Sequence, residues 1–568
     1  MQKTLLLLLF LMAFLPRALG ADVGYLFGDE RINDAAKVLT GQLVPGQHFY
    51  PPLLNYLNAI VFVGLFALGV PLGWWDNLSG FRAQYFSDPT IFFVTARMLV
   101  ATLGAMLAPI AYLIARRFGL TIVSSVATGL IAAFFPLAVF LSHFAKGDVP
   151  LGTATALCFL VVAQRVSFPQ SGKSLAQDAV VGLSFALTLS FKQSAVFGLL
   201  PLSIGMLVLL SKRQGFNIAI TSYLRAFAIF VPIWIVLNIG IVLDFKRFLV
   251  FQGIQSEMSL GEQSGIWQGV AKMLNTMMDP QYGIGWVLGL AAAIGVLAIK
   301  SHACKITDKP LWIALWLSSV IGAVSVSALT GTRQPAHLFV AQFGELLILG
   351  TVLLAGFFQS DNRNTSIAAK IAVASTLVIF VFFMIPPVAQ AMRPALTDKV
   401  DNFLSTEFSN ARIVTMMRTR AKQSPEARDW EDERLARLAA KYNVTLPDVA
   451  PESRASKTRP GAQFWVPLPQ AMYGLEDVAE GEESYEVQAH TWPLQPEEWT
   501  LEFWQRQGFS VFVLTDVAFH LQQRPSEVVS QFFEEIASNC AISKTFTPVK
   551  PMYLEYLTNV YVCPKAEV

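Results

Sequence analysis

The chain has 568 residues, of which 54% are hydrophobic and 14% are charged, and its formal net charge is +2. Soluble globular proteins carry about 25% charged residues, so this composition excludes an ordinary soluble protein. It predicts a polytopic α-helical membrane protein with room for a second, water-soluble domain. The small net charge and the lack of a basic tract in the sequence give no indication of a nucleic-acid partner.

The first apolar segment, residues 4–19, has two interpretations. Lys3, the leucine run and Ala18-Leu19-Gly20-Ala21 are typical of a secretory signal peptide. The alternative is an uncleaved first span whose N-terminus lies in the cytoplasm, and we favour this alternative. Either interpretation places Asp29 outside the cytoplasm.

Apolar segments long enough to approach the ~20 residues of a membrane span recur along the chain. A further apolar segment, 53–70, cannot also cross, because Arg116-Arg117 and every later basic loop would then lie outside, against the positive-inside rule. We therefore predict about eleven spans, with 53–70 as an interfacial helix in the first external loop. The predicted spans are 4–19, 91–115, 122–142, 151–164, 179–190, 195–210, 223–243, 284–299, 311–329, 337–358 and 367–386.

This topology predicts a membrane domain over residues 1–388 and an external α/β domain over 389–568. In the second domain, strands at 509–515, 542–546 and 559–563 alternate with helices at 424–442, 496–507 and 525–538. Cys540 and Cys563 both lie there. If this part is exported, an oxidising compartment would preserve a disulfide between them, and the sequence leaves the bonded and free states open.

Acidic residues at the external face are the first candidates for chemistry. Asp29 and Glu30 follow the first span, and Asp148 precedes the fourth. A carboxylate at the mouth of a membrane domain can accept a proton from an attacking hydroxyl. The structural alternatives are acids that complement a helix dipole, for Asp29 and Glu30, and a helix N-cap, for Asp148.

Basic residues at the same face could bind a phosphate. Lys192 lies between two spans with no room for a loop, and Arg333 precedes the tenth span. Both could instead be snorkelling or interfacial anchors. Further candidates for substrate binding on this face are His48, Tyr50, His143, Lys146 and His337. The histidines have no HxxH-type spacing, so we predict no bound metal and no cofactor.

The order of these motifs resembles the GT-C glycosyltransferases. The resemblance rests on Asp29-Glu30 after the first span, residues 48–56 (HFYPPLLNY), 142–151 (SHFAKGDVPL) and 189–202 (LSFKQSAVFGLLPL). The most similar branch comprises bacterial protein-mannosyltransferase-like and aminoarabinose-transferase-like enzymes. The Glu-Lys-Pro of aminoarabinose transferases is replaced here by Phe49-Tyr50-Pro51-Pro52, which argues against lipid A as acceptor. The usual Arg-Tyr-x-x-Pro is degraded to Arg333-Gln334-Pro335-Ala336-His337, which puts the role of Arg333 in doubt.

The resemblance implies a hexosyl or pentosyl transferase that takes a sugar from a polyprenyl-phosphate carrier, such as undecaprenyl phosphate. It would pass the sugar, with inversion, to a glycan, lipid or protein acceptor at the outer face of a bacterial inner membrane. Asp29 would be the general base, Glu30 and Asp148 would hold hydroxyl groups, and Lys192 and Arg333 would offset the charge of the leaving phosphate.

Two other classes of function fit the composition. A transporter or flippase for lipid-linked glycans would place charges near the bilayer midplane and repeat its halves, whereas the acids here lie at one face and no repeat is evident. A non-catalytic assembly scaffold would keep its cellular role after Asp29→Asn.

Overall fold

The computed structural model describes residues 2–23, 30–45, 48–87, 89–167, 174–260, 266–279, 306–330, 336–359, 367–408, 411–415, 461–463, 499–506, 508–523, 525–548, 555 and 557–564. The chain divides into two compact units. The first unit comprises Met1–Ala21, Lys37–Ala59 and Ala96–Met392. The second comprises Asp22–Ala36, Ile60–Thr95 and Arg393–Val568.

Helices account for nearly all of the described structure up to residue 407. In chain order they are α1 (Gln2–Leu19), α2 (Ile32–Leu39), α3 (Leu53–Gly69), α4 (Leu78–Ser87), α5 (Thr90–Ala105), α6 (Leu107–Arg117), α7 (Ile122–Ala133), α8 (Pro136–Leu141), α9 (Asp148–Ser167), α10 (Ser174–Phe191), α11 (Val196–Gln214), α12 (Phe216–Leu237), α13 (Ile239–Leu243), α14 (Phe245–Leu260), α15 (Ile266–Met278), α16 (Lys309–Thr330), α17 (Val340–Phe358), α18 (Ile367–Ala391) and α19 (Leu396–Glu407).

Seven helical segments are long and apolar enough to cross a membrane, by length and composition, within the described part of the chain. They are Gln2–Leu19, Thr90–Arg117, Asp148–Ser167, Gln193–Gln214, Phe216–Leu237, Lys309–Thr330 and His337–Phe358. Each coincides with a predicted span, so the prediction of a multi-pass helical membrane protein is confirmed. The predicted spans at 179–190 and 367–386 fall on α10 and α18, while 284–299 lies outside the described residues.

One predicted span is divided in the structure, and the predicted helix in the first external loop is present. The span predicted at 122–142 is two shorter helices, α7 and α8, because Pro136 lacks a backbone N–H and begins a new helix instead of continuing the old one. The apolar segment predicted at 53–70 is the helix α3, whose 17 residues make it one of the shorter apolar helices.

The core of the first unit is built around α9 and α17, which are almost entirely buried and pack against each other. Helices that are apolar on every side suit this central position. By contrast, α12 is mostly exposed, with Phe216, Leu224 and Phe227 on its surface. A helix of this kind in a membrane protein faces lipid.

Ion pairs lie at both ends of the long helices of the first unit. At the end opposite to Asp148, Arg165 Nε donates to Asp178 Oδ1 at 2.5 Å, and Arg213 makes a two-pronged ion pair with Asp308 at 2.6 and 2.9 Å. Arg165 and Asp148 belong to the same helix, and 17 residues of α-helix separate them by about 25 Å.

The second unit contains a five-stranded sheet. The strands are β1 (Arg412–Thr415), β2 (Gly461–Gln463), β3 (Phe509–Thr515), β4 (Ala541–Phe546) and β5 (Thr558–Val562), in the spatial order β2-β1-β3-β5-β4. β1 is parallel to β2 and to β3, whereas β5 runs antiparallel to β3 and to β4. The helices α20 (Leu501–Arg506), α21 (Val517–Gln523) and α22 (Glu527–Asn539) complete the α/β part.

Both faces of this sheet are covered, which explains the nearly unbroken apolar sequence of β3. Phe512 and Leu514 face a core that includes Trp504 of α20 and Phe532 of α22. Val511 and Val513 face the other core, with Leu396, Val400 and Leu404 of α19. The predicted strands 509–515, 542–546 and 559–563 and the helix 525–538 are therefore present, while the helix predicted at 424–442 lies outside the described residues.

Cys540 and Cys563 form a disulfide that joins the start of β4 to the residue after β5. The bond closes a loop over a sequence separation of 23 residues. It resolves the choice that the sequence left open.

Candidate active site

The centre of the site is an ion pair between Asp148 and Lys192 in the first unit. Asp148 begins α9, and Lys192 stands in extended conformation between the end of α10 and the short 3₁₀ turn Gln193–Ala195. Lys192 Nζ lies 2.5 Å from Asp148 Oδ1, and the two residues are only 6% and 2% exposed. A buried pair of this kind holds both groups in place, because either charge alone would lack compensation.

Gly147 allows this pair to form. A Cβ at Gly147 would lie 2.5 Å from the carbonyl oxygen of Phe191, the residue before Lys192. Only glycine therefore lets the turn before α9 approach the end of α10 so closely.

Other charged groups surround the pair. The attraction on the Asp148 carboxylate comes from Lys192, then His337, then Lys146. The ring of Tyr50 lies beneath both lysines, with its centroid 5.8 Å from Lys192 Nζ and 6.0 Å from Lys146 Nζ. Two lysines and one aspartate leave this group with one net positive charge before His337 is counted. Such a cluster favours an anion such as a phosphate.

His48 anchors the loop that carries Tyr50. Its Nε2 lies 2.9 Å from Asp244 Oδ2, between α13 and α14, and Gln252 donates to its backbone carbonyl. The hydroxyl of Tyr56 donates to Leu43 O and accepts from Gly240 N. Sequence reasoning missed Asp244 and Gln252 as partners of His48, since nothing in their spacing pointed to it.

The remaining predicted site residues have different surroundings. His143 is fully buried, with Nε2 3.0 Å from the carbonyl oxygen of Pro16, and its ring fills the space beside Gly20. Glu30 is also buried, and it belongs to the second unit. Asp29 and Arg333 lie outside the described residues. The structure thus brings together five of the predicted residues: Tyr50, Lys146, Asp148, Lys192 and His337.

The described ranges contain histidines and acidic residues that could in principle bind a metal. No three His, Cys, Asp or Glu side chains there form a group that could hold a metal ion.

One protein-family model matches part of the chain. The family model of the dolichyl-phosphate-mannose-protein mannosyltransferases matches residues 47–249. A search of curated protein sequences found no match.

Three solved structures align with this chain at low similarity. ArnT from Cupriavidus metallidurans bound to undecaprenyl phosphate is 12% identical over 98% of this chain and 97% of its own, with a TM-score of 0.45. The Archaeoglobus fulgidus oligosaccharyltransferase complexed with zinc and sulfate is 11% identical over 90% of this chain and 68% of its own, with a TM-score of 0.46. The S. cerevisiae protein O-mannosyltransferase Pmt1-Pmt2 complex bound to the sugar donor is 16% identical over 44% of this chain and 34% of its own, with a TM-score of 0.33.

The sequence identities and TM-scores of these three structures are too low to indicate a function for this chain. The family match and the residues of the site carry that information instead. The matched range contains His48, Tyr50, Lys146, Asp148 and Lys192. The resemblance to the GT-C glycosyltransferases that the motifs indicated is thereby confirmed over residues 47–249.

Proposed function

We propose that the chain is an inverting GT-C glycosyltransferase that moves a sugar from a polyprenyl-phosphate carrier to an acceptor at the outer face of a bacterial cytoplasmic membrane. The observation that best supports this proposal is the positively charged cluster of Lys146, Lys192 and Asp148, which are buried and lie inside the range that matches the family. Both lysines lie over the ring of Tyr50, and His337 adds to the attraction on Asp148. The membrane domain of residues 1–388 would carry the reaction, and residues 389–568 would lie outside.

In the proposed reaction, the acceptor hydroxyl attacks the anomeric carbon of the sugar from the face opposite to the phosphate. The bond from that carbon to the phosphate oxygen breaks, and the polyprenyl phosphate leaves with the electron pair. Asp29 takes the proton of the acceptor hydroxyl as general base. Inversion follows from the single displacement.

The cationic side chains act on the leaving group. Lys192 and Lys146 offset the negative charge that develops on the phosphate, and a preorganised charge in a dry site is worth more than one in water. Asp148 holds the Lys192 ammonium in position through the 2.5 Å contact. A phosphate monoester leaving group beside two lysines does not need a metal to chelate it, so we propose a metal-independent reaction. Glu30, His48, Arg333 and His143 stay proposals for substrate contacts or for shaping the site.

Two features support the proposed orientation. Basic residues such as Arg116, Arg165 and Arg213 lie at the helix ends opposite to Asp148, as expected for a cytoplasmic face. The disulfide Cys540–Cys563 is of the kind that an oxidising compartment preserves.

The proposal is tested by mass spectrometry of lipid and surface-glycan extracts from cells that carry the wild-type, Asp29→Asn, Lys192→Gln or Asp148→Asn chain. We expect a polyprenyl-phosphate sugar to accumulate in the three variants and one glycan to lose a residue. Asp308→Asn, which removes an acid from the opposite helix ends, is the matched control and should leave the extracts unchanged. Indistinguishable extracts from folded variants would overturn the proposal.

A further inference from the structure

An acidic residue lies inside α17, the most deeply buried of the candidate spans that the structure describes, and takes no part in the proposed reaction. Glu345, in α17, is 3% exposed, and its Oε2 has no hydrogen-bond partner. Burying a carboxylate in a membrane domain is costly unless its charge is offset. Among the residues that the structure describes, no basic side chain forms an ion pair with it.

The neighbours of Glu345 supply fewer protons than the acceptors around them require. Its side chain is within hydrogen-bonding reach of Ser319 on α16 and Thr155 on α9. Both hydroxyls already donate to backbone carbonyls, Ser319 to Leu315 at 3.2 Å and Thr155 to Gly152 at 3.0 Å. A hydroxyl has one proton to donate, so each of these groups must divide that proton between a backbone carbonyl and the Glu345 carboxylate.

Gln342 adds to this surplus of acceptors. It precedes Glu345 by three residues, which places both side chains on one side of α17. Its Cγ would lie 3.4 Å from a Cβ on Gly322, one turn from Ser319 on α16, so it faces the same helix as Glu345. Its Oε1 is buried and has no hydrogen-bond partner. Two buried oxygens therefore have no donor, although nearly all buried polar atoms in native proteins have one.

The polar cluster lies further along two segments that carry residues of the candidate active site: α9, which begins at Asp148, and α17, which follows the 3₁₀ turn Ala336–Phe339 that contains His337. Thr155 follows Asp148 by seven residues along α9, a distance of about 10 Å, and Glu345 lies about 12 Å beyond His337. Cys158, on α9, is the titratable side chain that interacts electrostatically with Glu345, and its Sγ lies 3.1 Å from Thr188 Oγ1.

We propose that Glu345, Gln342, Thr155 and Ser319 form an intramembrane site for one small monovalent cation, a proton or a sodium ion. A proton turns Glu345 into a donor and removes its charge. A sodium ion takes the carboxylate, amide and hydroxyl oxygens as ligands, which are the ligand atoms that hard cations prefer. Either ion supplies the positive charge that the carboxylate and the unpaired oxygens of this cluster lack.

The test uses the full chain in detergent and dicyclohexylcarbodiimide, a hydrophobic reagent that adds across protonated carboxyl groups to give a stable N-acylurea. Peptide mass spectrometry locates the adduct. In choline chloride we expect modification of Glu345 that declines at high pH and is absent in Glu345→Gln. If sodium chloride suppresses the modification several-fold at constant pH, the ion is sodium. If it has no effect, the ion is the proton.

A second measurement covers the case in which the reagent cannot enter. The melting temperature of the wild-type chain should fall as the pH rises in choline chloride, because the folded state binds the cation better than the unfolded state. Sodium chloride should reverse this fall only if the site accepts sodium. Glu345→Gln keeps the shape without the charge, so its melting temperature should lack the part of the pH and sodium dependence that Glu345 contributes. The proposal would be overturned if Glu345 stays unmodified and the melting temperatures of the wild-type and Glu345→Gln chains depend identically on pH and sodium. This outcome is independent of whether the chain catalyses the proposed transfer.

Discussion

Lys192 Nζ and Asp148 Oδ1 are 2.5 Å apart although 44 residues separate them along the chain. Each residue stands at a break between helices, Lys192 after α10 and Asp148 at the first turn of α9. The pair therefore ties the beginning of one helix to the end of the next. It also fixes the ammonium group that we propose acts on the leaving phosphate.

Removing one partner of this pair should cost more stability than removing both. Asp148→Asn or Lys192→Gln leaves a buried charge without compensation, which typically costs about 3–5 kcal/mol. The double variant Asp148→Asn/Lys192→Gln should recover a large part of that loss. Thermal or denaturant unfolding of the four chains in one detergent gives the coupling energy. Losses that simply add would mean that the two groups do not interact.

Gly147→Ala should separate the pair without changing either charge. The added methyl group would lie 2.5 Å from the carbonyl oxygen of Phe191, so the turn must move away from the end of α10. We expect a loss of stability of about 1–3 kcal/mol and a loss of transfer activity. Gly253→Ala is the control, because its Cβ would meet nothing within 4 Å in the exposed part of α14. An active, equally stable Gly147→Ala chain would show that the close approach is not required.

Hydropathy predicted most of the helices, because an apolar run of span length has few alternatives in a membrane protein. It also drew attention to Asp148 and Lys192, since charges are rare at the ends of such runs. It could not predict that they pair, or that His48 meets Asp244. Contacts between distant segments depend on how helices pack, and the periodicity of one segment does not contain that information.

Glu345 shows the opposite case, because its position in the sequence indicates a special role that the candidate residues at the outer face did not include. It is the one acidic residue in the apolar segment 337–358, so its position in the sequence already marks it. In the tail, the alternation of strands and helices predicted the α/β arrangement, but only the structure established the pairing of β3 with both β1 and β5.

The ion pair of Arg213 with Asp308 should stabilise the chain in a pH-dependent way. Burial alone would raise the pKa of Asp308, but the hydrogen bond and charge of Arg213 outweigh burial and hold that pKa below its usual value of 3.8. A depressed carboxyl pKa contributes stability above the unfolded-state value of about 3.9, and this contribution disappears as the pH falls through the folded-state pKa.

Asp308→Asn should therefore lower the stability by about 1 kcal/mol at neutral pH and by less as the pH falls below about 4. Melting temperatures of the wild-type and variant chains between neutral and acidic pH give this difference directly. Asp76→Asn, which changes an exposed acid, is the control and should show no such trend. A difference between wild type and Asp308→Asn that grows on acidification would contradict the assignment.

Breaking the disulfide should destabilise the sheet of the second unit. Cys540→Ser or Cys563→Ser removes a cross-link over a sequence separation of 23 residues, and closing a loop of that size restricts the unfolded chain by about 3 kcal/mol. The double serine variant should lose no more than either single variant, because each already lacks the bond. Limited proteolysis of residues 499–564 measures the effect, with Cys158→Ala as a control in the other unit.

The disulfide Cys540–Cys563 also reports the compartment of the tail. Thiol labelling of denatured, unreduced chains taken from cells should find two fewer thiols than labelling after reduction. Equal numbers of thiols before and after reduction would mean that the tail is in a reducing compartment, and the proposed orientation would then be wrong.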